Sequence, residues 1–170
     1  MSVVPYSETL ELYGIVLRRE ERLEPALFSP YKAEAGERLA AGDVPYPGAA
    51  ELDESALFLP GSDGLEYLSP ESAAELSPAL LDELLASEKD MRRGPKLIYG
   101  FDFYYAAFLE GAEYLEPGPC RVKFEDFDES LSADILSVSR EDERCALLLR
   151  VRMGSAELLE LRICRAELIV

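Results

Sequence analysis

The chain has 170 residues, a formal net charge of −17 and a pI near 4.3, with 48% hydrophobic residues. It contains no histidine, asparagine, glutamine or tryptophan. That composition excludes a Ser-His-Asp triad, a Cys-His pair, a His-rich zinc site and carboxamide-built oxyanion holes. The acidity speaks against direct nucleic-acid binding and against docking on anionic lipid. The length fits a single domain over 1–170 with an apolar core.

In chain order, Thr9–Leu17 alternates with apolar residues on both faces and reads as a covered strand. Arg18–Arg22 reads as a charged turn. Pro25 and Pro30 deny a long helix to the stretch after that turn, 33–41 reads as a short helix, and 42–49 as a loop. Leu57–Leu59 and Leu65–Leu68 flank Pro60-Gly61-Ser62-Asp63-Gly64, the pattern of a hairpin with a five-residue loop.

Ser69-Pro70-Glu71 and Ser77-Pro78 both carry helix-start grammar: a hydroxyl cap, then proline at the first helical position. The spacing predicts a short helix over 70–76 and the main helix over 78–91. Leu80, Leu81, Leu84 and Leu85 lie on the apolar face of the second. Arg92, Arg93 and Lys96 form a compact basic stretch that suits helix C-terminal capping better than anion binding.

Alternation then predicts strands over 97–105, 120–124 and around Leu136 and Val138. The C-terminus is read as a hairpin. Leu147, Leu149 and Val151 share parity with Leu159, Leu161 and Ile163. A three-residue loop, Gly154-Ser155-Ala156, would set Val151 opposite Leu159 and Arg150 opposite Glu160. The expected class is α+β: an antiparallel sheet with a C-terminal meander or hairpin, packed against one main helix near 78–91.

Three cysteines, Cys120, Cys145 and Cys164, with no C-x-x-C read as reduced thiols. The opening MSVVPYSETLELYG lacks a basic stretch followed by a long apolar one, and no apolar run approaches a membrane span, so the reading is cytoplasmic, with no membrane contact. Glu125-Asp126-Phe127-Asp128-Glu129 starts like a calcium loop. Leu131 then replaces the turn glycine and Ser137 the bidentate glutamate, which leaves an acidic turn and no metal or other cofactor.

Every charged side chain from Asp43 to Glu88 is acidic, and so is every one from Leu97 to Cys120. This pattern predicts a negative surface for a basic protein partner, formed by exposed Glu51, Asp53, Glu54, Glu66, Glu71 and Glu75. Tyr104 and Tyr105 join it as interface tyrosines. The function this suggests is a small, acidic, protein-binding module of bacterial type, an immunity or antitoxin-like inhibitor of a basic protein. The alternative is a secretion chaperone or structural adaptor. A carboxylate-dependent hydrolase ranks last, because with so many acids some pair always lies close, and no catalytic residues are assigned.

Overall fold

The computed structural model describes residues 9–23, 37–44, 50–59, 65–86, 95–111, 114–141, 143–152, 158 and 161–169. They form eight strands: β1 (Thr9–Arg22), β2 (Arg38–Leu39), β3 (Ala56–Leu59), β4 (Lys96–Glu110), β5 (Gly118–Phe124), β6 (Leu131–Glu141), β7 (Arg144–Arg152) and β8 (Ile163–Ile169). The helical elements among the described residues are a 3-10 turn at Pro70–Glu75 and α1, Pro78–Ala86, with Leu158 also in 3-10 conformation. The fold is therefore dominated by antiparallel sheet, which corrects the α+β expectation. The α-helix is nine residues long where described, and the remainder of the expected 78–91 span lies outside the described residues.

The chain divides into two compact units. Unit 1 comprises 1–17, 75–85 and 102–170, and unit 2 comprises 18–74 and 86–101.

In unit 1 the strand order is β1-β8-β5-β6-β7-β4, and β1 pairs in addition with β4. The ladder thus returns to the strand from which it starts: six antiparallel strands close on themselves and leave no edge. Period-2 alternation decides which side chains turn inward. Leu12 and Val16 come from β1, Phe103, Tyr105, Ala107 and Leu109 from β4, Val122 and Phe124 from β5, and Leu147, Leu149 and Val151 from β7. The interior is filled rather than hollow. Tyr105 sits edge-on to Phe124 with centroids 5.0 Å apart, and Phe103 is 5.7 Å from the same ring. The Tyr105 hydroxyl donates to the Cys164 carbonyl at 2.7 Å, so its one polar group is satisfied.

At Gly14 β1 lies close against β4. A Cβ there would stand 2.4 Å from the Ala106 carbonyl oxygen and 2.8 Å from the Ala107 Cα, so only glycine fits. α1 starts as its sequence grammar predicts, with the Leu80 amide donating to Ser77 Oγ at 3.2 Å. Leu81 is buried, whereas Leu85 on the expected apolar face is exposed. The Tyr13 hydroxyl donates to Asp82 Oδ1 at 3.0 Å and ties the helix to β1.

The C-terminal hairpin is corrected. Both edges of β7 are taken, with Val151 between Phe103 and Ala133 and Arg150 between Tyr104 and Asp134. Arg150 forms an ion pair with Asp134, at 3.5 Å. The last strand, β8, pairs with β1 and β5. Parity assigned the inward face of β7 correctly, but parity holds for any neighbouring strand and so cannot name the partner. Residues 153–157, 159 and 160 lie outside the described residues. In β6 a bulge falls between Ile135 and Ser137. It turns Leu136 outward and brings Val138 onto the core, so the two do not share a face.

In unit 2, β3 pairs with β2 and with the start of β4, Ala56 opposite Tyr99 and Leu59 opposite Lys96. The expected 57–59/65–68 hairpin is thereby replaced: Leu65 and Leu68 are buried in a turn, and their 60–64 link lies outside the described residues. The expected helix over 33–41 is strand at Arg38–Leu39, and 33–36 are not described. The expected turn at Arg18–Arg22 is a continuation of β1. Arg18 is buried there, and Glu20 accepts from Lys96 Nζ at 2.9 Å and lies 3.5 Å from Arg18 Nε. Among the described residues of unit 2, Ala56, Phe58 and Leu97 form an apolar cluster, and Leu59, Leu65, Leu68 and Ile98 are buried as well.

Candidate functional site

The outer face of β1, β8 and β5 brings several charged side chains together. Cross-strand register sets Glu11 opposite Glu167, and Glu167 opposite Lys123. Tyr13 lies opposite Arg165, whose guanidinium carbon is 5.1 Å from the Tyr13 ring centroid. Burial raises the Tyr13 hydroxyl above its usual pKa, and the hydrogen bond to Asp82 adds to this, so the ring is a neutral donor.

After β5 the chain turns at Glu125-Asp126, with the Phe127 amide bonded to the Phe124 carbonyl at 3.1 Å. Asp126 takes the left-handed conformation at φ 69°, which aspartate tolerates better than most residues. On the β6 side of this loop, Arg121 donates to Ser130 Oγ and to the Ser130 carbonyl, both at 2.8 Å. Phe127 packs against the core. The loop is thus held at both ends, and Asp126 and Asp128 stay exposed.

Between this loop and the strand face lies a cleft of about 320 Å³. Five carboxylates line it, Glu11, Glu125, Asp126, Asp128 and Glu167, against two cations, Lys123 and Arg165. Its size falls at the lower end of the roughly 300–1,000 Å³ occupied by ligand sites. Among the described residues, no group of three or more Cys, Asp or Glu side chains has the geometry to hold a metal ion. What the arrangement offers chemically is cation recognition by carboxylates on a fixed frame.

A second groove, of about 570 Å³, adjoins it. The two share Glu11, Leu12 and Arg165. The far side of the groove brings Pro78, Phe108 and Leu109 together with Glu110 and Arg144, which face one another across β4 and β7.

The residues singled out from the sequence fall elsewhere. Glu51, Asp53, Glu54, Glu71 and Glu75 are exposed. Glu54 is paired with Arg19. Arg19 also stacks on Tyr99, 5.0 Å from its centroid, and Tyr99 donates to Glu21 at 2.6 Å. Burial, reinforced by that hydrogen bond, pushes the Tyr99 hydroxyl up to about 12. A hydrogen bond from Ser69 holds the Glu71 carboxyl below the usual range. Tyr104 is half-buried. Two expectations of exposure are overturned: Glu66 is 6% exposed and Tyr105 0%. Tyr105 belongs to the core because odd positions of β4 face inward. Lys96, read as part of a basic loop, is buried against Glu20.

The signal for Glu11, Lys123, Arg165 and Glu167 was present as outward parity on three strands, but their adjacency arises only from β8 lying between β1 and β5. The acidic run 125–129 was visible, but the cleft beneath it was not. No helix among the described residues is long and apolar enough to cross a membrane. No family model, no curated protein and no solved structure matches the chain.

Proposed function

We propose that the protein is a cytoplasmic binding module that captures a basic protein partner, in the manner of an immunity or antitoxin-like inhibitor, with the β5–β6 cleft as its contact site. The observation that carries this reading is the cleft itself, where five carboxylates outnumber two cations around a concave surface. A net charge of −17 supports it by speeding the encounter with a positive partner. Exposed Glu51, Asp53, Glu71 and Glu75 add to that field without forming the contact. The second reading, a chaperone or adaptor for a non-globular client, draws support from the open second groove.

Affinity capture from a cell extract at low salt, with two charge-matched variants, tests the proposal. One variant carries Glu125→Gln, Asp126→Asn and Asp128→Asn. The other carries Glu51→Gln, Asp53→Asn and Glu71→Gln. Capture of a defined basic protein should fail with the first and persist with the second. Equal loss with both would mean that the overall field, not the cleft, does the binding.

A further inference from the structure

We propose that the acidic cleft and the adjoining groove together form one docking track for a short extended segment of the basic partner, with a Lys or Arg side chain in the cleft and an apolar side chain in the groove. The inference rests on the basic-partner reading and adds the chemistry of what is bound.

The two depressions share a wall built from Glu11, Leu12 and Arg165. Their charge balance differs. In the cleft, five carboxylates face Lys123 and Arg165. In the groove, Glu11 and Glu110 are matched by Arg144 and Arg165. Glu110 and Arg144 stand opposite each other on paired strands, and Arg165 lies over Tyr13, so the cations of the groove are already engaged. An added positive side chain gains in the cleft and gains nothing in the groove. The surfaces of Pro78, Phe108 and Leu10 offer the groove's occupant apolar contact instead.

Spacing fits an extended chain. Glu11, Glu167 and Lys123 occupy one cross-strand row, with neighbouring strands about 4.8 Å apart. Side chains two residues apart on an extended peptide lie about 6.6 Å from each other on one face, so one strand of peptide presents both toward adjoining depressions. A basic and an apolar residue at positions i and i+2 can therefore occupy the two depressions together.

The test is fluorescence anisotropy with the full chain and three labelled peptides in a Gly-Ser background. The first carries Arg and Leu two residues apart, the second replaces Leu by Ser, and the third replaces Arg by Ser. The matched peptide should bind, and either replacement should weaken it about tenfold, the size expected for an anchor side chain. The variant Asp126→Asn/Asp128→Asn should weaken the Arg dependence and keep the Leu dependence. Both substitutions are at exposed loop positions, and an unchanged melting temperature checks folding. If the Leu-to-Ser peptide binds as well as the matched one, the track is overturned while the acidic-cleft reading stands. If no peptide binds yet the basic protein is still captured through the cleft, the track is likewise overturned. If neither peptide nor protein responds to the cleft substitutions, both readings fall.

Discussion

The two units solve the problem of burial differently. Unit 1 closes six strands around apolar side chains and turns Glu11, Arg165 and Glu167 outward, while Arg162 is buried and donates to the Val16 carbonyl at 2.9 Å. Unit 2 has a small apolar cluster at Ala56, Phe58 and Leu97 and buries ions as well, with Arg18, Glu20 and Lys96 in contact and Glu66 also enclosed. Apolar burial contributes to stability roughly in proportion to area. Buried ion pairs contribute little net stability, because desolvation offsets attraction, but breaking one leaves a charge uncompensated. Emptying the core of unit 1 should therefore cost through cavities, and breaking the Lys96–Glu20 pair of unit 2 through orphaned charge. A frame that relies on apolar contacts leaves its outer charges available for recognition.

Four substitutions or titrations sharpen that contrast. Phe124→Ala should cost most, about 3–5 kcal/mol, because it empties a site in contact with both Phe103 and Tyr105. Urea unfolding measures it, and a loss under about 1 kcal/mol would mean the interior is looser than described. Lys96→Met should cost about 3 kcal/mol by leaving Glu20 with less compensation. Combining it with Glu20→Leu should recover part of that loss, and a double variant as poor as the sum of the two singles would argue against the pairing.

Gly14→Ala should cost about 1–3 kcal/mol, since the clash is with backbone atoms of β4, which cannot swing away. A neutral result would mean that β1 and β4 are not so close. The smallest effect is on pH dependence. Burial, with Asp134 adding to it, pushes the Cys120 thiol up to about 11 from 9.0. Between those values the folded state holds a proton that the unfolded state releases, so stability is full below pH 9 and falls as pH rises toward 11. Cys120→Ala should flatten the decline in melting temperature over that window, and an unchanged slope would contradict the assignment.

Much of unit 1 was legible in the sequence because alternation maps directly onto the inward face of a strand. Leu147, Leu149 and Val151 are buried as their parity requires, and Val122 and Phe124 likewise. Ser77 caps α1 as its sequence grammar indicates. Pairing was not legible. Joining β7 to the last strand assumed that neighbours in sequence are neighbours in space, whereas β8 runs between β1 and β5. In unit 2 the failure had a different cause. Arg18 and Glu20 alternate with Arg19 and Glu21, so both faces of that stretch are charged and the pattern resembles a turn. The partner on β4, Lys96, which no local pattern reveals, helps to make ionic burial tolerable. The acidic segments were located correctly along the chain, but their exposure was not uniform: Glu66 is enclosed and Glu54 neutralised. The cleft was hidden because it draws on three strands and a loop whose adjacency no local pattern encodes.

The proposed recognition face is the outer face of unit 1. Hydrogen–deuterium exchange with and without the captured basic protein tests it most directly. Protection is predicted at 123–128 and 165–167, with 51–54 and 69–75 unchanged. Protection confined to 51–54 and 69–75, with the β5–β6 loop unaffected, would contradict the account and return the site to the acidic middle of the chain.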